Sequence, residues 1–335
     1  MSKRKLTQRQ TSSIAQAQQL HMDNAQKNDR STPDQPREGT VISRFGKQAD
    51  VECTNTANQS LVVRCYLRAN LGSVVTGDNV AWHKDDNDQG VIVGVLPRRS
   101  AITRADSRGI TRTLATNVDQ MIIVISPIPP AHQNLIDRYI VAAESANIKP
   151  IILLNKCDLL KNEVLLESDL KSLLSLYEKI GYVTLLTSAY DNTGLEKLKT
   201  RLANKNNIFV GQSGVGKSSL INTLLPNANV AIGELSLGTD KGTHTTTASR
   251  LFHLDGGGNL IDSPGIREFH LTHIDKDALI EYFIEFRAFL GKCKFRNCQH
   301  EHEPGCAILA GFESGAISAQ RIESYQRLYQ SLLKE

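Results

Sequence analysis

The feature that most constrains the fold of this chain is the stretch GQSGVGKSSLIN, Gly211 to Asn222. A GxxxxGK[ST] loop follows a buried strand and opens a helix, so that backbone N–H groups surround a phosphate at the helix N-terminus. Here the apolar run NIFV precedes the loop and a helical run follows it. The sequence therefore predicts an α/β domain with a phosphate-binding loop, against the alternative of a plain glycine turn before a helix.

The residues of this loop have expected roles in nucleotide binding. The glycines let the backbone turn its N–H groups towards the phosphates. Lys217 neutralises the charge of the β- and γ-phosphates, and the Ser218 hydroxyl ligates Mg²⁺. The predicted phosphate-loop contacts are Gly211, Gln212, Ser213, Gly214, Val215, Gly216, Lys217, Ser218 and Ser219.

Two motifs upstream of the loop predict that the base is guanine. NKCD follows the apolar run PIILL, and TSA follows YVTLL. An aspartate after such a strand accepts hydrogen bonds from guanine N1–H and its amine, whereas adenine offers neither, so a mismatch leaves the carboxylate unpaired. Asn155 would brace the phosphate loop, the Lys156 stem would lie over the base, and the Ala189 N–H would reach guanine O6. The predicted base-reading residues are Asn155, Lys156, Asp158, Ser188 and Ala189.

Two motifs downstream of the loop predict the switches. DSPG, Asp262 to Gly265, offers a carboxylate that holds Mg²⁺ through water and an N–H of Gly265 for the γ-phosphate, although Asp-x-x-Gly is also a common turn. The threonine-rich GTHTTT, Gly242 to Thr247, offers hydroxyls for Mg²⁺, with Thr246 as the expected ligand. Segments that a γ-phosphate orders act as switches.

The position after DSPG predicts slow hydrolysis. Many GTPases place a glutamine there to orient the attacking water, but Ile266 occupies it in this chain. Another group must then orient the water, and His244 in the switch segment is the candidate. The alternative is that His244 only packs or touches a partner.

The order of the motifs is unusual, since the base-reading motifs come before the phosphate loop. Apolar strand runs that alternate with helical stretches predict a largely parallel sheet covered on both faces. Helices are expected over about Asn134–Ala146, Glu167–Ile180 and Gly194–Ala203, with a hairpin around Gly256. Loops at the carboxyl ends of parallel strands form one site whatever the chain order. The arrangement is therefore that of a circularly permuted GTPase domain.

A separate β-rich segment precedes this domain. Five short runs between Gly39 and about Arg99 (TVISRFG, ADVEC, LVVRCYL, DNVAWH and GVIVGVL) are separated by turn signals and predict a small OB-type barrel. Such a barrel binds nucleic acid or serves as a spacer. Basic residues cluster at its exit and favour RNA binding. They are Arg98, Arg99, Arg104, Arg108 and Arg112.

A cluster of cysteines near the C-terminus predicts a metal site. Three of the six cysteines lie within the fourteen residues CKFRNCQHEHEPGC, with His300 and His302 as the candidates for the fourth ligand. Three thiols and one imidazole suit tetrahedral Zn²⁺, and a closed set of four leaves no open position, so we expect one structural Zn²⁺ per monomer. The alternative is a coincidental grouping. The predicted ligands are Cys293, Cys298 and Cys306, together with His300 or His302.

Composition restricts the class of protein. With 40% hydrophobic and 22% charged residues the chain reads as a soluble globular protein, and its apolar runs are far shorter than the roughly 18 residues that span a bilayer. The N-terminus carries Lys3, Arg4, Lys5 and Arg9 but no apolar stretch typical of a signal peptide. We expect a cytoplasmic monomer without membrane contact, with a disordered arm that orders on a polyanion or only solubilises the chain.

The order NKCD, TSA, GQSGVGKSS, GTHTTT, DSPG and Cys-x4-Cys-x-His-x5-Cys closely resembles the small ribosomal subunit biogenesis GTPase family RsgA, also called YjeQ. The resemblance covers nearly the whole chain from Gly39 on. It implies a bacterial GTPase that the 30S subunit activates late in maturation, with hydrolysis releasing the protein. It also implies that His300 is the zinc ligand, that His244 is catalytic, and that the barrel and zinc region contact 16S rRNA. The matching basic candidates in the zinc region are Lys292, Lys294 and Arg296.

The predicted architecture is therefore multi-domain, and two other functions remain open. A basic arm (1–38) precedes an all-β OB-type barrel (39–105), a circularly permuted α/β P-loop GTPase domain (106–274) and an α-helical zinc-binding domain (275–335). The first alternative is an RNA-binding assembly factor in which GTP or GDP only sets shape. The second is a P-loop ATPase or small-molecule kinase, which NKCD disfavours.

Overall fold

A computed structural model gives the structure of the chain. It describes residues 36–55, 57–69, 71–85, 87–105, 111–161, 163–226, 249–262 and 274–334, so the predicted arm lies almost wholly outside it. The backbone divides after Arg98 into two units, which are described in turn. Within the described part of the chain, every helix is too short or too polar to span a bilayer.

The first unit is a closed five-stranded barrel. Its strands are β1 (Arg37–Phe45), β2 (Gln48–Thr54), β3 (Ser60–Leu67), β4 (Asn79–Lys84) and β5 (Gly90–Val95). They run in the order β1-β2-β3-β5-β4, and β4 pairs with β1 to close the barrel. The predicted five-stranded barrel is thereby confirmed.

Alternating side chains fill the interior of this barrel. Val41, Val51, Cys65, Trp82 and Ile92 are all fully buried. Strand residues point alternately to the two faces, so every second position faces the core. The register shifts between Val41 and Ser43 and between Ala81 and Trp82. Bulges of this kind bend strands and help a small barrel to close.

The second unit opens with a two-stranded antiparallel ribbon of β6 (Ala101–Ala105) and β7 (Thr111–Thr116). Its main sheet contains β8 (Gln120–Ile125), β9 (Lys149–Leu154), β10 (Val183–Leu186), β11 (Asn206–Val210), β12 (Arg250–His253) and β13 (Asn259–Asp262). The strand order is β10-β9-β8-β11-β13-β12. All neighbours are parallel except β12 and β13, which form the predicted hairpin.

Four helices cover this sheet on both faces. They are α1 (Gln133–Ser145), α2 (Val164–Ile180), α3 (Leu195–Leu202) and α4 (Lys217–Leu224), and the first three agree with the predicted helices within a few residues. On one face, Ile122 and Val124 pack with leucines of α3 and α4. The alternate residues Met121 and Ile123 are buried as well, and α1 contacts β8 and β9. The strands are therefore apolar throughout, as expected of a parallel sheet between helices.

The C-terminal part differs from the helical pattern of its sequence. DKDALIEYFIEFRAFL forms two 3₁₀ segments, Lys276–Tyr282 and Ile284–Phe289, instead of a continuous α-helix. Between them Phe283 is extended and fully buried, and its ring stacks on Phe286 with centroids 5.1 Å apart. Burial of this aromatic pair outweighs local helix propensity. Two α-helices follow, α5 (Ala307–Glu313) and α6 (Ala319–Lys334).

A buried ionic cluster connects α6 to the body of the second unit. Arg321 on α6 is 1% exposed and donates to Asp137 on α1 and to Glu285. The Tyr177 hydroxyl on α2 donates to the same Asp137 carboxylate at 2.8 Å. The Arg321 guanidinium also lies 4.4 Å from the ring centroid of Phe283. Arg321 thus connects α6 to α1 and to the second 3₁₀ segment, and through Asp137 also to α2.

Candidate nucleotide-binding site and metal centre

The predicted nucleotide-binding residues that the structure describes lie at one edge of the main sheet. The strands β8, β9, β10, β11 and β13 are parallel, so the loops that follow them leave the sheet at the same edge. We call this the loop edge. The phosphate loop follows β11, NKCD follows β9, TSA follows β10, and Asp262 ends β13. The fold therefore brings together motifs that the chain visits in permuted order.

Two glycines of the phosphate loop are required by their surroundings. Gly211 has φ +139° and Gly216 has φ +93°, both in the region that favours glycine. A Cβ at Gly216 would lie 2.3 Å from the Asn155 side-chain nitrogen, and one at Gly211 would lie 2.2 Å from the Val124 carbonyl oxygen. Helix α4 begins directly after Gly216. Its first N–H groups are thus part of the loop, as anion binding requires.

Lys217 places positive charge inside this loop. Its Nζ donates to the carbonyl oxygens of Gly211 at 2.7 Å and Gln212 at 2.8 Å. Ser218 is half-buried at the start of α4, whereas Ser213 and Ser219 are exposed. Val215 is buried in the core that α4 shares with the sheet, which anchors the loop. The ammonium is a compact point charge suited to a phosphate.

Asn155 and Lys156 connect the NKCD loop to the phosphate loop. The Asn155 side chain is 1% exposed and donates to the Val215 carbonyl at 2.9 Å. The Lys156 ammonium donates to the carbonyl of Gly214 at 2.7 Å and to that of Ile128 at 2.9 Å. These bonds lay the Lys156 stem across the loop edge. Ile128, in the loop after β8, was not singled out from the sequence because a carbonyl acceptor leaves no signal there.

The TSA loop orients Asp158. The Ser188 hydroxyl donates to the Asp158 carboxylate at 2.6 Å, and the Cys157 N–H donates to the Thr187 carbonyl at 3.1 Å. The same Ser188 oxygen accepts the backbone N–H groups of Tyr190 at 3.1 Å and Asp191 at 3.2 Å. The Ser188 hydroxyl thus occupies one acceptor position on one oxygen of the Asp158 carboxylate. The carboxylate keeps further acceptor capacity for a base.

Asp191 and Lys161 stabilise this arrangement and were missed from the sequence. Hydrogen bonds from Thr193 and from Lys161 hold the pKa of Asp191 well below its usual range. The Lys161 ammonium lies 3.0 Å from the Asp191 carboxylate and ties the NKCD loop to the TSA loop. The turn signal DNTG, Asp191 to Gly194, would have pointed to the Asp191 side chain as a turn acceptor.

The predicted switch residues lie outside the described residues, except Asp262. His244, Thr246, Gly265 and Ile266 belong to ranges 227–248 and 263–273, which the structure does not describe. Asp262 is half-buried at the end of β13, opposite Arg250 in the hairpin register. The parallel pairing of β13 with β11 places it at the loop edge.

The four predicted zinc ligands converge. The ligand atoms of Cys293, Cys298, His300 and Cys306 all lie within 4.8 Å of one another. Around a tetrahedral Zn²⁺ with Zn–S bonds of about 2.3 Å, the sulfur atoms stand about 3.8 Å apart, so the set fits a metal ion of this kind. The group that converges contains His300 and not His302.

The chemistry of this group also favours a metal. Burial raises the pKa of the Cys298 thiol to about 12, and burial lowers the pKa of His300, so without a cation these two groups favour their neutral forms. A divalent cation would offset the thiolate charge and take the neutral imidazole as a ligand. The backbone N–H of Ala307 points at the Cys293 sulfur at 3.4 Å. Such N–H groups lie in the surroundings of metal-bound thiolates.

Glu303 organises the turns of the cluster and was missed from the sequence. Its carboxylate accepts the backbone N–H groups of Gln299, Glu301 and His302 at 2.8 to 3.1 Å. These hydrogen bonds, first that of Gln299, lower the pKa of Glu303 to about 2. A carboxylate inside EHEPG reads from sequence as an ordinary charged turn residue.

The predicted RNA-contact residues have different surroundings. Arg98 donates two hydrogen bonds, at 2.7 and 2.8 Å, to the fully buried Asp78, so its guanidinium has a structural task in the barrel. Arg99 pairs with Asp119 at 2.8 Å, and Arg104 stands opposite Arg112 across the ribbon. Lys292, Lys294 and Arg296 are exposed, whereas Arg108 lies outside the described residues.

Comparisons with known proteins agree with this geometry. A family model described as RsgA GTPase matches residues 95–272. A relative from Ectopseudomonas mendocina named "Small ribosomal subunit biogenesis GTPase RsgA" is 52% identical over 296 residues, which cover 88% of this chain and 85% of that protein. A relative of the same name from Azotobacter vinelandii is 46% identical and covers 99% and 98% of the two chains.

Two solved structures are similar in fold. The crystal structure of YjeQ from Thermotoga maritima has a TM-score of 0.72 at 31% identity and covers 90% of this chain and 99% of its own. YloQ, described as a circularly permuted GTPase, has a TM-score of 0.71 at 27% identity, with 89% and 96% covered. The predicted circular permutation is confirmed by these matches.

Proposed function

The chain belongs to the RsgA GTPase family, and from this we propose that it hydrolyses GTP in the biogenesis of the small ribosomal subunit. The observation that carries the proposal is the cross-bracing of the phosphate loop by Asn155 and Lys156 beside an Asp158 carboxylate that Ser188 orients. Adenine does not offer this aspartate a pair of donors, so an ATPase or small-molecule kinase would gain nothing from it. Guanine has two donors on one edge, and the carboxylate can accept both.

The loop edge supports a division of labour in nucleotide binding. Residues 211 to 219 would surround the phosphates, with Lys217 as the cation. Asp158 would accept the guanine N1–H and amine, the Ala189 N–H would donate to O6, and the Lys156 stem would cover one face of the base. Mg²⁺, when bound, neutralises charge on the β- and γ-phosphates. Ser218 and Thr246 would hold it, with Asp262 acting through water.

Hydrolysis requires a residue that orients water. We propose His244 for this role, because Ile266 after DSPG has no polar atom to offer. Gly265 would give its N–H to the γ-phosphate. With the water-orienting group in a switch segment, intrinsic turnover would be slow, and docking on a partner would speed it by ordering that segment.

The partner we propose is the 30S subunit with its 16S rRNA, after the printed name of the relatives. Exposed cations at Lys292, Lys294 and Arg296, and the arginines of the β6–β7 ribbon, would meet the RNA backbone. Hydrolysis late in maturation would release the protein. We propose a cytoplasmic monomer with the boundaries predicted above.

The C-terminal region from 275 to 335 would be a zinc-binding domain with one structural ion. Cys293, Cys298, His300 and Cys306 would hold it and leave no position for water. The ion would fix the turns between the 3₁₀ segments and α5.

The test is GTP turnover with purified 30S subunits, with 50S subunits and without either, for wild type and His244→Ala. We expect strong acceleration by 30S alone, which His244→Ala abolishes while GDP binding persists. Equal slow turnover in every reaction would contradict the proposal and favour an RNA-binding assembly factor in which nucleotide only sets shape.

A further inference from the structure

A group of exposed apolar side chains lies where helix α2 begins. Val164 is 77% exposed and Leu165 is 83% exposed, and both belong to the first turn of α2. Leu159 is 42% exposed in the 3₁₀ turn Cys157–Leu160, and this turn contacts α2. We call these three side chains the α2 patch. Single exposed apolar residues are ordinary on a protein surface, whereas a group of them marks a place where another surface docks.

The fold of α2 does not require apolar residues in this turn. The sequence pattern predicts a helix from about Glu167, but α2 begins at Val164, after Glu163, which makes no side-chain capping bond. A first helical turn favours acidic side chains, and β-branched valine is a weaker helix former than alanine or leucine. The side chains that α2 buries lie further along it, at Leu170, Leu174 and Tyr177. Val164 and Leu165 therefore support neither the helix nor the core.

The cations nearest to the patch in sequence are already paired. The Lys161 ammonium lies 3.0 Å from the Asp191 carboxylate, and the Lys171 ammonium lies 2.6 Å from that of Glu167. Each of these pairs is formed within the second unit, so neither lysine is left as an uncompensated charge beside the patch.

Two carboxylates beside the patch have no paired cation. Glu163 and Asp169 are both exposed, and within the described part of the chain neither forms an ion pair. Asp169 follows Leu165 by four residues, so the two side chains lie one turn apart on the same side of α2. The α2 patch is thus an apolar surface with an excess of negative charge at its margin.

This charge selects the class of partner. An RNA backbone is a polyanion that binds through uncompensated lysine and arginine side chains, which this margin lacks. A second copy of the chain, docked through the same patch about a twofold axis, would bring like carboxylates together. A basic protein surface with an apolar side chain at its centre matches both the patch and its margin, since interfaces combine an apolar centre with a polar, charge-complementary rim.

We propose that the α2 patch is a docking surface for a basic protein, and that this partner is a protein component of the small ribosomal subunit. The inference rests on the proposed function, which makes the subunit the partner. It adds a protein contact at a surface that lies apart from the basic residues proposed to meet 16S rRNA.

Photocrosslinking identifies what covers the patch. Benzoylphenylalanine replaces Leu165 in the full chain, which is bound to purified 30S subunits with a non-hydrolysable GTP analogue. We expect a crosslink to one ribosomal protein, identified by mass spectrometry, that is missing when the same group replaces exposed Lys197 on α3. A crosslink from position 165 to 16S rRNA, or to a second copy of the chain, would overturn the inference.

Affinity for the 30S subunit gives a second, independent readout. Leu165→Ser removes the apolar side chain at an exposed position and should weaken 30S binding about 10- to 100-fold, the size expected of a central interface residue. GDP affinity should stay unchanged, which shows that the fold persists. Asp169→Lys should also weaken 30S binding, whereas an RNA partner would make the same variant bind more tightly.

A charge reversal elsewhere is the matched control for Asp169→Lys. Asp255 is exposed in the turn between β12 and β13, and Asp255→Lys should leave 30S affinity within about twofold. Unchanged 30S affinity of Leu165→Ser, together with no crosslink from position 165, would overturn the inference alone. A wild type that does not bind 30S subunits would instead overturn the proposed function, and this inference with it.

Discussion

The loop edge and the cysteine segment, Cys293–Cys306, are built in opposite ways. At the loop edge, bonds join residues far apart in sequence, such as Asn155 to Val215 and Ser188 to Asp158, above a buried core. The cysteine segment places all four ligands on consecutive turns, and within this fully described segment only Cys306 is buried. Its own hydrogen bonds are mostly local, around Glu303.

The two sites should therefore depend on their ligands to different degrees. The loop edge is held in place by the sheet and its helices, so the phosphate-binding and base-binding loops proposed there would keep their positions without a nucleotide. The cysteine segment buries little apolar surface of its own, and a structural metal commonly supplies the folding free energy of such a segment. The first site should tolerate ligand removal, and the second should not.

Of the changes considered, removal of a metal ligand should have the largest effect, and it should be confined to the cysteine segment. Structural Zn²⁺ contributes on the order of 10 kcal/mol in small zinc sites, so Cys298→Ser should lose the ion and the order of residues 293 to 306. Metal analysis and hydrogen exchange measure this, and GDP affinity should persist. The control is Cys53→Ser, whose side chain can still reach the Leu61 carbonyl. Full metal content in Cys298→Ser would contradict the assignment.

Arg321→Met tests whether the ionic cluster, and not the metal alone, fixes the C-terminal region. It leaves Asp137 and Glu285 buried without their cation, and loss of one partner of a buried pair costs about 3–5 kcal/mol of unfolding free energy. Urea unfolding measures the change. The control on the same helix is Arg327→Met, whose ion pair with Glu323 is exposed on both sides and should matter little.

The same variant should show a defined pH dependence. Burial already raises the pKa of Asp137, so the folded state binds the proton more tightly than the unfolded state. Unfolding free energy then falls as pH rises above the unfolded value of about 4. Arg321→Met should therefore be less destabilised near about pH 5 than near about pH 8. The reverse order would contradict a buried, uncompensated carboxylate.

Asp158→Asn tests base selection at the loop edge. An amide offers a donor where guanine also offers donors, so GDP affinity should fall about 100-fold while xanthosine diphosphate gains. The fold should be unaffected, because Asp158 is held by one neighbouring hydroxyl. Nucleotide competition measures the shift, and Asp169→Asn on the exposed face of α2 is the control. An unchanged preference for GDP would count against guanine reading.

Ser188→Ala should give the smallest effect. It removes the hydrogen bond that orients Asp158 and the acceptor for two backbone N–H groups, while leaving the carboxylate itself. We expect about tenfold weaker GDP binding, the size of one bond to a charged group. Titration of GDP measures it, with exposed Ser168→Ala as the control. A loss as large as that of Asp158→Asn would mean that the TSA loop collapses.

Local pattern was sufficient to predict the parallel sheet, the barrel and the grouping of cysteines, because each depends on neighbours in sequence. The permuted order followed from GxxxxGKS and NKCD, since parallel strands gather their loops at one edge. Local pattern was not sufficient to predict the C-terminal 3₁₀ segments, because packing of Phe283 against Phe286 outweighs the helical spacing of the sequence there. Local pattern also did not show that Arg98 pairs with the buried Asp78, which distinguishes Arg98 from the other basic residues at the exit of the barrel.

The amino-acid sequence alone indicates which chemical groups this protein carries and, for most of them, which strand or helix they follow. Which of these groups contact one another depends on the tertiary structure. Arg321 and Asp137 lie far apart in the amino-acid sequence, and no pattern around either residue indicates that they form an ion pair. A motif records short-range geometry, whereas the pairing of distant polar groups depends on how layers pack and on the cost of burying charge without a partner.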